Sequence, residues 1–232
     1  MSDPTELFAA LSEHDTPTIC NALEVVRGAR LSQGFTRQTM ICAWPKLKPI
    51  CGYARTAQIR AAGPSNQPPD AAKQLRQDYY RNLAAAPGPV ITVLQDLDSQ
   101  PGQGAFWGEV NTHIHHGLGV LGCVTNGSIR DLDVIQPDFQ LIAGSVGPSH
   151  AHVHVEAINV TVEIFGMIVN PGDVIHADRH GAVVFSVDEL AQLPATVDLC
   201  IRREEPILRA AKAPGFTVDD LIAAWGEADD VH

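Results

Sequence analysis

The stretch GLGVLGCVTNGSIRD (residues 117–131) carries an apolar run, then an Asn-Gly pair, and then an arginine directly beside an aspartate. An apolar run bounded by turn residues is typical of a buried strand, so we predict a strand around residues 121–125. Asn-Gly pairs favour turns. We therefore expect a turn at Asn126-Gly127 and a short helix from Ile129.

Two interpretations of residues 128–131 stay open at this point. In the first, Ser128-Ile-Arg-Asp131 is an S-x-x-D capping box, so that Ser128 caps a helix and Arg130 is a solvated neighbour. In the second, Arg130 and Asp131 face a crevice at the carboxyl end of a strand, where open α/β sheets place ligands. Arginine binds carboxylates through two hydrogen bonds, and one aspartate with waters suits Mg²⁺. The second interpretation predicts a site for a metal ion and a small acid.

Composition limits the classes of partner. The chain has 232 residues, 45% hydrophobic content and a net charge of -11, which disfavours nucleic acid and anionic membranes. The start MSDPTELFAALSEHD lacks the basic and apolar regions of a signal peptide. The five cysteines are widely spaced and include no CxxC pair, so we expect reduced thiols. These features predict a cytoplasmic protein that binds neither nucleic acid nor membrane.

Strands and helices alternate over the first two thirds of the chain, which predicts a mixed α/β fold. Thr16-Pro17 is expected to cap and begin a helix that ends at Gly28. Residues 50–59 form a predicted strand, in which Gly52 marks a close approach to the backbone. A predicted strand at 90–98 precedes the loop PGQGAFWGEVN (101–111) and a helical segment to Gly117. Leu190 to Ile201 has helical spacing.

The stretch 117–131, together with NPGDVIHADRHGAVVF (170–185), resembles the RraA-like superfamily. That superfamily contains divalent-metal-dependent aldolases for 4-hydroxy-4-methyl-2-oxoglutarate and 4-carboxy-4-hydroxy-2-oxoadipate, and the protein inhibitor of ribonuclease E. The resemblance also covers PTICNALE (17–24) and ICGYARTAQI (50–59). It implies a swivelling β/β/α domain over residues 1–232, with helical terminal segments. It further implies a homotrimer or homohexamer with the site at a subunit interface.

The resemblance also implies roles for individual residues. Arg130 would bind the carboxylate of a 2-oxo acid, and Asp131 would ligate Mg²⁺ or Mn²⁺. The segment Gly108-Glu109-Val110-Asn111 matches a second pocket element, whose Val110 and Asn111 amides would bind an anionic oxygen. Glu109 would orient a metal-bound water, although an acid in a first helical turn needs no ligand.

A glutamate from the C-terminal helix of a neighbouring subunit completes the implied site. Glu205 is the best match and Glu204 the second, and either would serve in proton transfer. Pro206 is expected to break the helix at Glu205 and to aim its carboxylate outward. The alternative is that RREE (202–205) is an ordinary solvated helix end.

Cleavage of a carbon-carbon bond beside a 2-oxo group leaves a pyruvate enolate, whose charge needs an imine, a metal or fixed donors. An imine requires a desolvated lysine, and Lys46, Lys48, Lys73 and Lys212 all lie in polar or proline-broken segments. A metal route remains. The same enolate predicts oxaloacetate decarboxylase activity.

Histidines offer a further candidate site. Under strand alternation His150, His152, His154 and Glu156 share one side, which would suit zinc, a pocket mouth or a subunit contact. His113, His115 and His116 are interpreted as surface or interface residues.

Three functions therefore remain. The first is an aldolase or lyase that releases pyruvate from a 4-hydroxy-2-oxo acid. The second is a non-catalytic protein-binding regulator resembling the ribonuclease E inhibitor, and the third is a related metal-dependent lyase or hydrolase on another small acid. Asp131 favours an enzyme, because a regulator needs no metal ligand.

Overall fold

A computed structural model describes residues 3–232. The helices are α1 (Pro4–Leu11), α2 (Thr16–Arg27), α3 (Pro69–Ala84), α4 (Glu109–Gly117), α5 (Val187–Leu190), α6 (Leu193–Ala211) and α7 (Val218–Asp229). The strands are β1 (Ile41–Cys42), β2 (Ile50–Arg60), β3 (Val90–Asp96), β4 (Ala105–Trp107), β5 (Val120–Ile129), β6 (Gln140–Val146), β7 (His154–Ile158), β8 (Val162–Ile164), β9 (Met167–Val169), β10 (Val174–Asp178) and β11 (Gly181–Phe185). The predicted α/β class is confirmed.

The main sheet has the strand order β1-β6-β5-β3-β2-β10-β11. Strands β2, β3, β5 and β6 are parallel, whereas β1, β10 and β11 pair antiparallel at the two sides. Strand β4 pairs with the end of β5, β7 pairs with β2, and β8 pairs with β9 in a separate hairpin. Parallel strands bring their carboxyl ends to one edge, so the segments that follow them meet there.

Apolar side chains pack in three groups around this sheet. Helices α3 and α4 cover the first group, which includes the fully buried Trp107. Helices α1, α2 and α6 cover the second, which includes Leu23, and the β8–β9 hairpin covers the third, which includes Met167. Because the parallel strands are covered on both faces, β3 reads as the nearly continuous apolar run VITVLQD.

Helix α2 and strand β2 lie close to their predicted positions. Helix α2 ends at Gly28, which has a φ of 62° as a left-handed helix stop requires. Its cap is Asp15 rather than the predicted Thr16, since the Asp15 carboxylate accepts the Thr18 N–H at 3.0 Å. In β2, a Cβ on Gly52 would lie 2.7 Å from the Pro89 carbonyl oxygen, so the predicted close approach is confirmed.

The end of β5 differs from the prediction. The strand continues to Ile129, so the expected turn at Asn126-Gly127 and the short helix from Ile129 are both wrong. The Asn126 carboxamide accepts the Asp96 N–H at 2.7 Å and donates to the Asp96 carbonyl at 3.0 Å. These bonds extend the pairing of β5 with β3 beyond its last pair, Leu94–Thr125, and the β5–β6 register shifts over the same stretch of β5. Ser128 is therefore a buried strand residue, and the capping box is also wrong.

Helix α6 continues through Pro206, so the predicted break at Glu205 is wrong. A proline inside a helix removes one backbone hydrogen bond. Pro206 is buried, and α6 packs against α1, α2 and α7, which favours the continuous helix despite that loss. Among residues 3–232 no helix combines the length and apolar character that a membrane span requires.

Candidate active site

Arg130 and Asp131 directly follow β5, at the carboxyl edge of the parallel strands. Asp131 has a φ of 59°, a left-handed conformation that aspartate adopts more readily than most residues. This conformation ends the strand and places both side chains on the same side, with Arg130 Nε 3.5 Å from Asp131 Oδ2. Their side chains are 34% and 35% exposed, so both are partly open to solvent. The two side chains therefore lie together at the edge of the sheet, as the second interpretation requires, and their role in a ligand site stays a prediction.

The segment 108–111 lies against this pair. The Glu109 N–H donates to Asp131 Oδ2 at 3.2 Å, and the Arg130 N–H donates to the Trp107 carbonyl at 2.9 Å. A Cβ on Gly108 would collide with Asp131 Oδ2 and would lie 3.1 Å from Arg130 Cγ. Gly108 is thus required by a close approach of two chain segments. The structure brings together the two pocket elements that the sequence analysis singled out.

Helix α4 begins beside Asp131, with Gly108 as its N-cap. Its first intrahelical hydrogen bond runs from the Thr112 N–H to the Gly108 carbonyl at 3.0 Å. Helix geometry therefore leaves the N–H groups of Val110 and Asn111 without intrahelical acceptors. Val110 is 69% exposed, so this first turn borders solvent. Two amides at a helix N-terminus, close to an arginine, suit an anionic oxygen.

The Asn111 side chain anchors the first turn of α4, whereas its backbone N–H has no intrahelical acceptor. Its Nδ2 donates to the Phe106 carbonyl at 2.5 Å, and its Oδ1 accepts from the Tyr80 hydroxyl at 3.1 Å. These two bonds tie the first turn of α4 to β4 and α3. The Glu109 carboxylate, in contrast, is exposed and has no hydrogen bond within the described part of the chain. Asn111 can contribute its amide, whereas Glu109 can contribute its side chain.

The carboxylate of Asp131 fits a magnesium-type site. One oxygen accepts the Glu109 N–H, and the other has no hydrogen bond among the described residues. No group of three or more His, Cys, Asp or Glu side chains in residues 3–232 is arranged to hold a metal. A single carboxylate supplemented by waters and substrate oxygens is a common arrangement for Mg²⁺ and an unusual one for zinc. Asp131 is therefore the residue that would hold such an ion.

The histidine cluster does not form as expected. Residues 150–153 precede β7, so His150 and His152 lie in a loop, and their predicted strand placement is wrong. His154 and Glu156 lie on β7 and pair at 2.6 Å. The chain turns at Ala151, which has a φ of 43°, and this turn removes the period-two alternation. A zinc site of these four residues has no support in the described structure.

Glu205 lies on α6, which packs against α1, α2 and α7. Its carboxylate pairs with Arg209 at 2.8 Å and is 57% exposed. Glu204 accepts a hydrogen bond from Asn21 at 3.4 Å. Neither glutamate has a described contact with Arg130 or Asp131. The role of Glu205 in the site of a neighbouring subunit stays a prediction.

Sequence reasoning missed the buried face of α4. Thr112 and His115 are both 0% exposed inside this chain, so the prediction of His115 as a surface or interface residue is wrong. His115 Nδ1 lies 2.6 Å from the Asn111 carbonyl, which only accepts, so Nδ1 carries the proton. Its Nε2 then accepts from the Tyr79 hydroxyl at 2.7 Å, and burial lowers the His115 pKa to about 4. The i, i+3 spacing of Thr112 and His115 was the available signal for this face.

Comparisons with known proteins bear on the family and the fold. Residues 16–184 match the model of the RraA-like family, described as Aldolase/RraA. The protein DlpA of Legionella pneumophila is 28% identical over 116 residues, which span 49% of this chain and 19% of that protein. The chain therefore matches only a small part of that relative.

Solved structures share the fold. A protein from Pseudomonas syringae pv. tomato has a TM-score of 0.71 at 22% identity, covering 94% of this chain and 93% of its own. Streptomyces coelicolor RraAS2, described as an unusual member of the RNase ES inhibitor RraA protein family, has a TM-score of 0.62 at 24% identity, covering 86% and 93%. The predicted RraA-like type of α/β fold is confirmed. Because the family model covers most of the chain, this protein belongs to the RraA-like family.

Proposed function

We propose that this protein is a divalent-metal-dependent aldolase or lyase. Its substrate would be a 4-hydroxy-2-oxo acid, cleaved to pyruvate and a second 2-oxo acid, with oxaloacetate decarboxylation as a side activity. The observation that carries the proposal is the contact between the first turn of α4 and the pair Arg130–Asp131. This contact assembles a guanidinium, a carboxylate and free helix amides around one point.

Arg130 would bind the carboxylate next to the 2-oxo group. A guanidinium presents two parallel N–H groups that match the two oxygens of a carboxylate. The partial exposure of Arg130 leaves its outer face accessible to a small acid. Binding at this end fixes the orientation of the bond to be cleaved, and a fixed orientation lowers the barrier to the reaction.

Negative charge develops on the 2-oxo oxygen as the bond breaks, and donors fixed in advance stabilise it. The Val110 and Asn111 amides at the start of α4 would supply such donors. Mg²⁺ or Mn²⁺ held by Asp131 would supply Lewis-acid polarisation of that 2-oxo group. Glu109, exposed in the same turn, would hold a water near the metal side. Glu205 of a neighbouring copy would accept or return a proton.

The lysines of the chain support a metal route over an imine route. Lys46, Lys48, Lys73 and Lys212 are all exposed, and Lys48 pairs with Glu13 at 2.6 Å. An imine-forming lysine needs a desolvated or otherwise perturbed amine to be nucleophilic at neutral pH. None of the four has such surroundings.

A pyruvate-release assay tests the proposal. Oxaloacetate and 4-hydroxy-4-methyl-2-oxoglutarate would be supplied with Mg²⁺ or with EDTA, against a blank without protein. We expect turnover that requires the metal and falls at least about 100-fold in Arg130→Ala and in Asp131→Ala. Asp133→Ala is the matched control, since it removes an exposed carboxylate two residues away.

Two results would contradict the proposal. The first is activity that survives EDTA and the loss of Arg130. The second is a folded protein that shows no metal binding and no turnover of either acid, with Asp131→Ala indistinguishable from the unchanged chain. The second result would favour the non-catalytic, protein-binding alternative, because a regulator has no use for Asp131.

A further inference from the structure

The two segments of the proposed site meet with almost no free space between them. Gly108 leaves no room for a Cβ beside Asp131 and Arg130, so a small shift of α4 changes the site directly. The Glu109 N–H bond to Asp131 Oδ2 joins the segments at 3.2 Å. If Asp131 also binds a cation, the cation competes with the Glu109 N–H for the carboxylate, and this hydrogen bond becomes weaker. The two segments then depend on a second contact that does not involve the Asp131 carboxylate.

Thr112 provides a bond of that kind. Its side chain is fully buried, and its Oγ1 lies 3.0 Å from the Gly108 carbonyl and 2.9 Å from the Glu109 carbonyl. The Gln136 N–H donates to the same oxygen at 3.1 Å. A hydroxyl has one proton and two acceptor positions, so Thr112 donates to the first turn of α4 and accepts from Gln136.

Gln136 closes the turn that begins at Asp131. The Asp131 carbonyl accepts from the Val134 N–H at 2.9 Å and from the Ile135 N–H at 3.1 Å. The Arg130 N–H is held by the Trp107 carbonyl immediately before Asp131. Hydrogen bonds therefore hold the chain both before and after Asp131. After Asp131, Thr112 holds the end of the turn through the Gln136 N–H.

We propose that Thr112 is a positioning residue of the active site, and this inference rests on the proposed function. Its hydroxyl fixes the first turn of α4 over Arg130 and Asp131, whatever the Asp131 carboxylate binds. Thr112 is buried beneath the turn and touches neither substrate nor metal. It acts through the helix amides and through the Asp131 turn.

A purely local role is the simple alternative. Threonine in a helix often donates its hydroxyl to a carbonyl three or four residues earlier, with no effect on other segments. The bond from Gln136 distinguishes the two roles, because it leaves the helix. A purely local role predicts that loss of the hydroxyl lowers stability and leaves the binding constants of the site unchanged.

Two substitutions separate these roles. Thr112→Val keeps the shape and removes the acceptor for Gln136, whereas Thr112→Ser keeps the hydroxyl and removes a methyl group. Folding of both would be checked by circular dichroism and thermal unfolding. The site would be probed by the KM and kcat for oxaloacetate, by the inhibition constant of pyruvate, and by Mn²⁺ binding followed by electron paramagnetic resonance.

We expect Thr112→Val to raise the KM and the pyruvate inhibition constant about tenfold, as the loss of one buried hydrogen bond predicts. For Thr112→Ser, both constants should stay within about threefold of those of the unchanged protein, even if its melting temperature falls as much as that of Thr112→Val. This separation of site geometry from stability supports the inference.

Equal site constants for the valine and serine variants would overturn it, as would a folded valine variant with unchanged constants. Such a result in an active protein leaves the proposed function intact. An unchanged protein that neither turns over the acid nor binds Mn²⁺ contradicts the proposed function, and this inference with it.

Discussion

Gly108 lies where two chain segments touch and no side chain fits. Its φ of -160° is ordinary extended backbone, so the requirement for glycine is one of space rather than of conformation. The missing Cβ lets the start of α4 reach the Asp131 carboxylate. Gly108 has no side chain to bind a ligand, but it determines how closely α4 approaches Arg130 and Asp131.

Gly108→Ala should lower activity, whereas the same substitution at the other end of α4 should not. The new methyl group displaces α4 from Arg130 and Asp131, and we expect kcat/KM for oxaloacetate to fall at least about tenfold, since small misplacements are costly in catalysis. Gly117→Ala is the matched control at the other end of α4, where a Cβ meets nothing within 4 Å. That variant should keep full activity and gain up to about 1 kcal/mol of stability. Full activity in Gly108→Ala would show that the contact is not functional.

At single positions the sequence predicted which segments meet better than it predicted their conformation. The meeting of residues 108–111 with Arg130 and Asp131 was predicted from the resemblance to the RraA-like superfamily. The conformation of Ser128 was not, because S-x-x-D is also compatible with a strand when a distant partner is present. That partner is Asp96, whose backbone pairs with the Asn126 side chain across 30 positions in the chain.

At the scale of elements, a buried histidine holds the first two helices on the sheet. His176 of β10 has Nε2 3.1 Å from the Leu11 carbonyl, so this nitrogen donates to the end of α1. Its Nδ1 then accepts from the Thr16 hydroxyl at 3.0 Å, at the start of α2. Asp178 accepts the Thr16 N–H at 2.9 Å. Burial favours the neutral imidazole in this arrangement, because it lowers the pKa of His176.

Mild acid should therefore weaken the fold. Burial lowers the pKa of His115 and of His176 from 6.5 to about 4. Between these values the unfolded chain binds more protons than the folded chain, so stability is complete above pH 6.5 and is lost as the pH falls toward 4. Each histidine should cost about 2 kcal/mol between pH 7 and pH 5. The measurement is urea unfolding at the two pH values.

His176→Gln tests the assignment, because glutamine does not titrate. The variant should be less stable at pH 7, and its loss of stability between pH 7 and pH 5 should shrink by about 2 kcal/mol. Burial raises the pKa of Asp178, but hydrogen bonds from Thr16 and His180 outweigh it and leave that pKa below 3.8, so Asp178 does not interfere in this range. An unchanged pH dependence in the variant would refute the assignment.

Elements with strong periodicity or capping residues were predictable, whereas those decided by tertiary contacts were not. Strand β2 and the Gly28 end of α2 depend on local sequence. The course of α6 through Pro206 and the burial of His115 depend on neighbouring elements. His115 lies among Tyr79 of α3 and Phe106 and Trp107 of β4, which surround it only in the folded chain. The spacing of Thr112 and His115 indicates a common face of α4, but local sequence does not show which elements cover it.

At the scale of the molecule, the proposed site has an apolar border. The exposed side chains beside it include Val110 (69%), Ile114 (39%), Leu132 (42%) and Val134 (52%). Val110 and Ile114 share one face of α4, and Leu132 and Val134 lie one and three residues after Asp131. Grouped apolar side chains at a surface are typical of protein interfaces. This border supports the prediction that a second copy of the chain covers the site and brings Glu205 to it.

Val134→Asp tests this assembly. A charge buried in a subunit contact is strongly unfavourable, so the variant should sediment as a smaller species than the predicted trimer or hexamer and lose most of its oxaloacetate turnover. Ile168→Asp is the matched control, since Ile168 is 60% exposed on the separate β8–β9 hairpin. It should leave both sedimentation and turnover unchanged. If the unchanged protein is active as a monomer at assay concentration, the site needs no second copy, and Glu205 has no part in it.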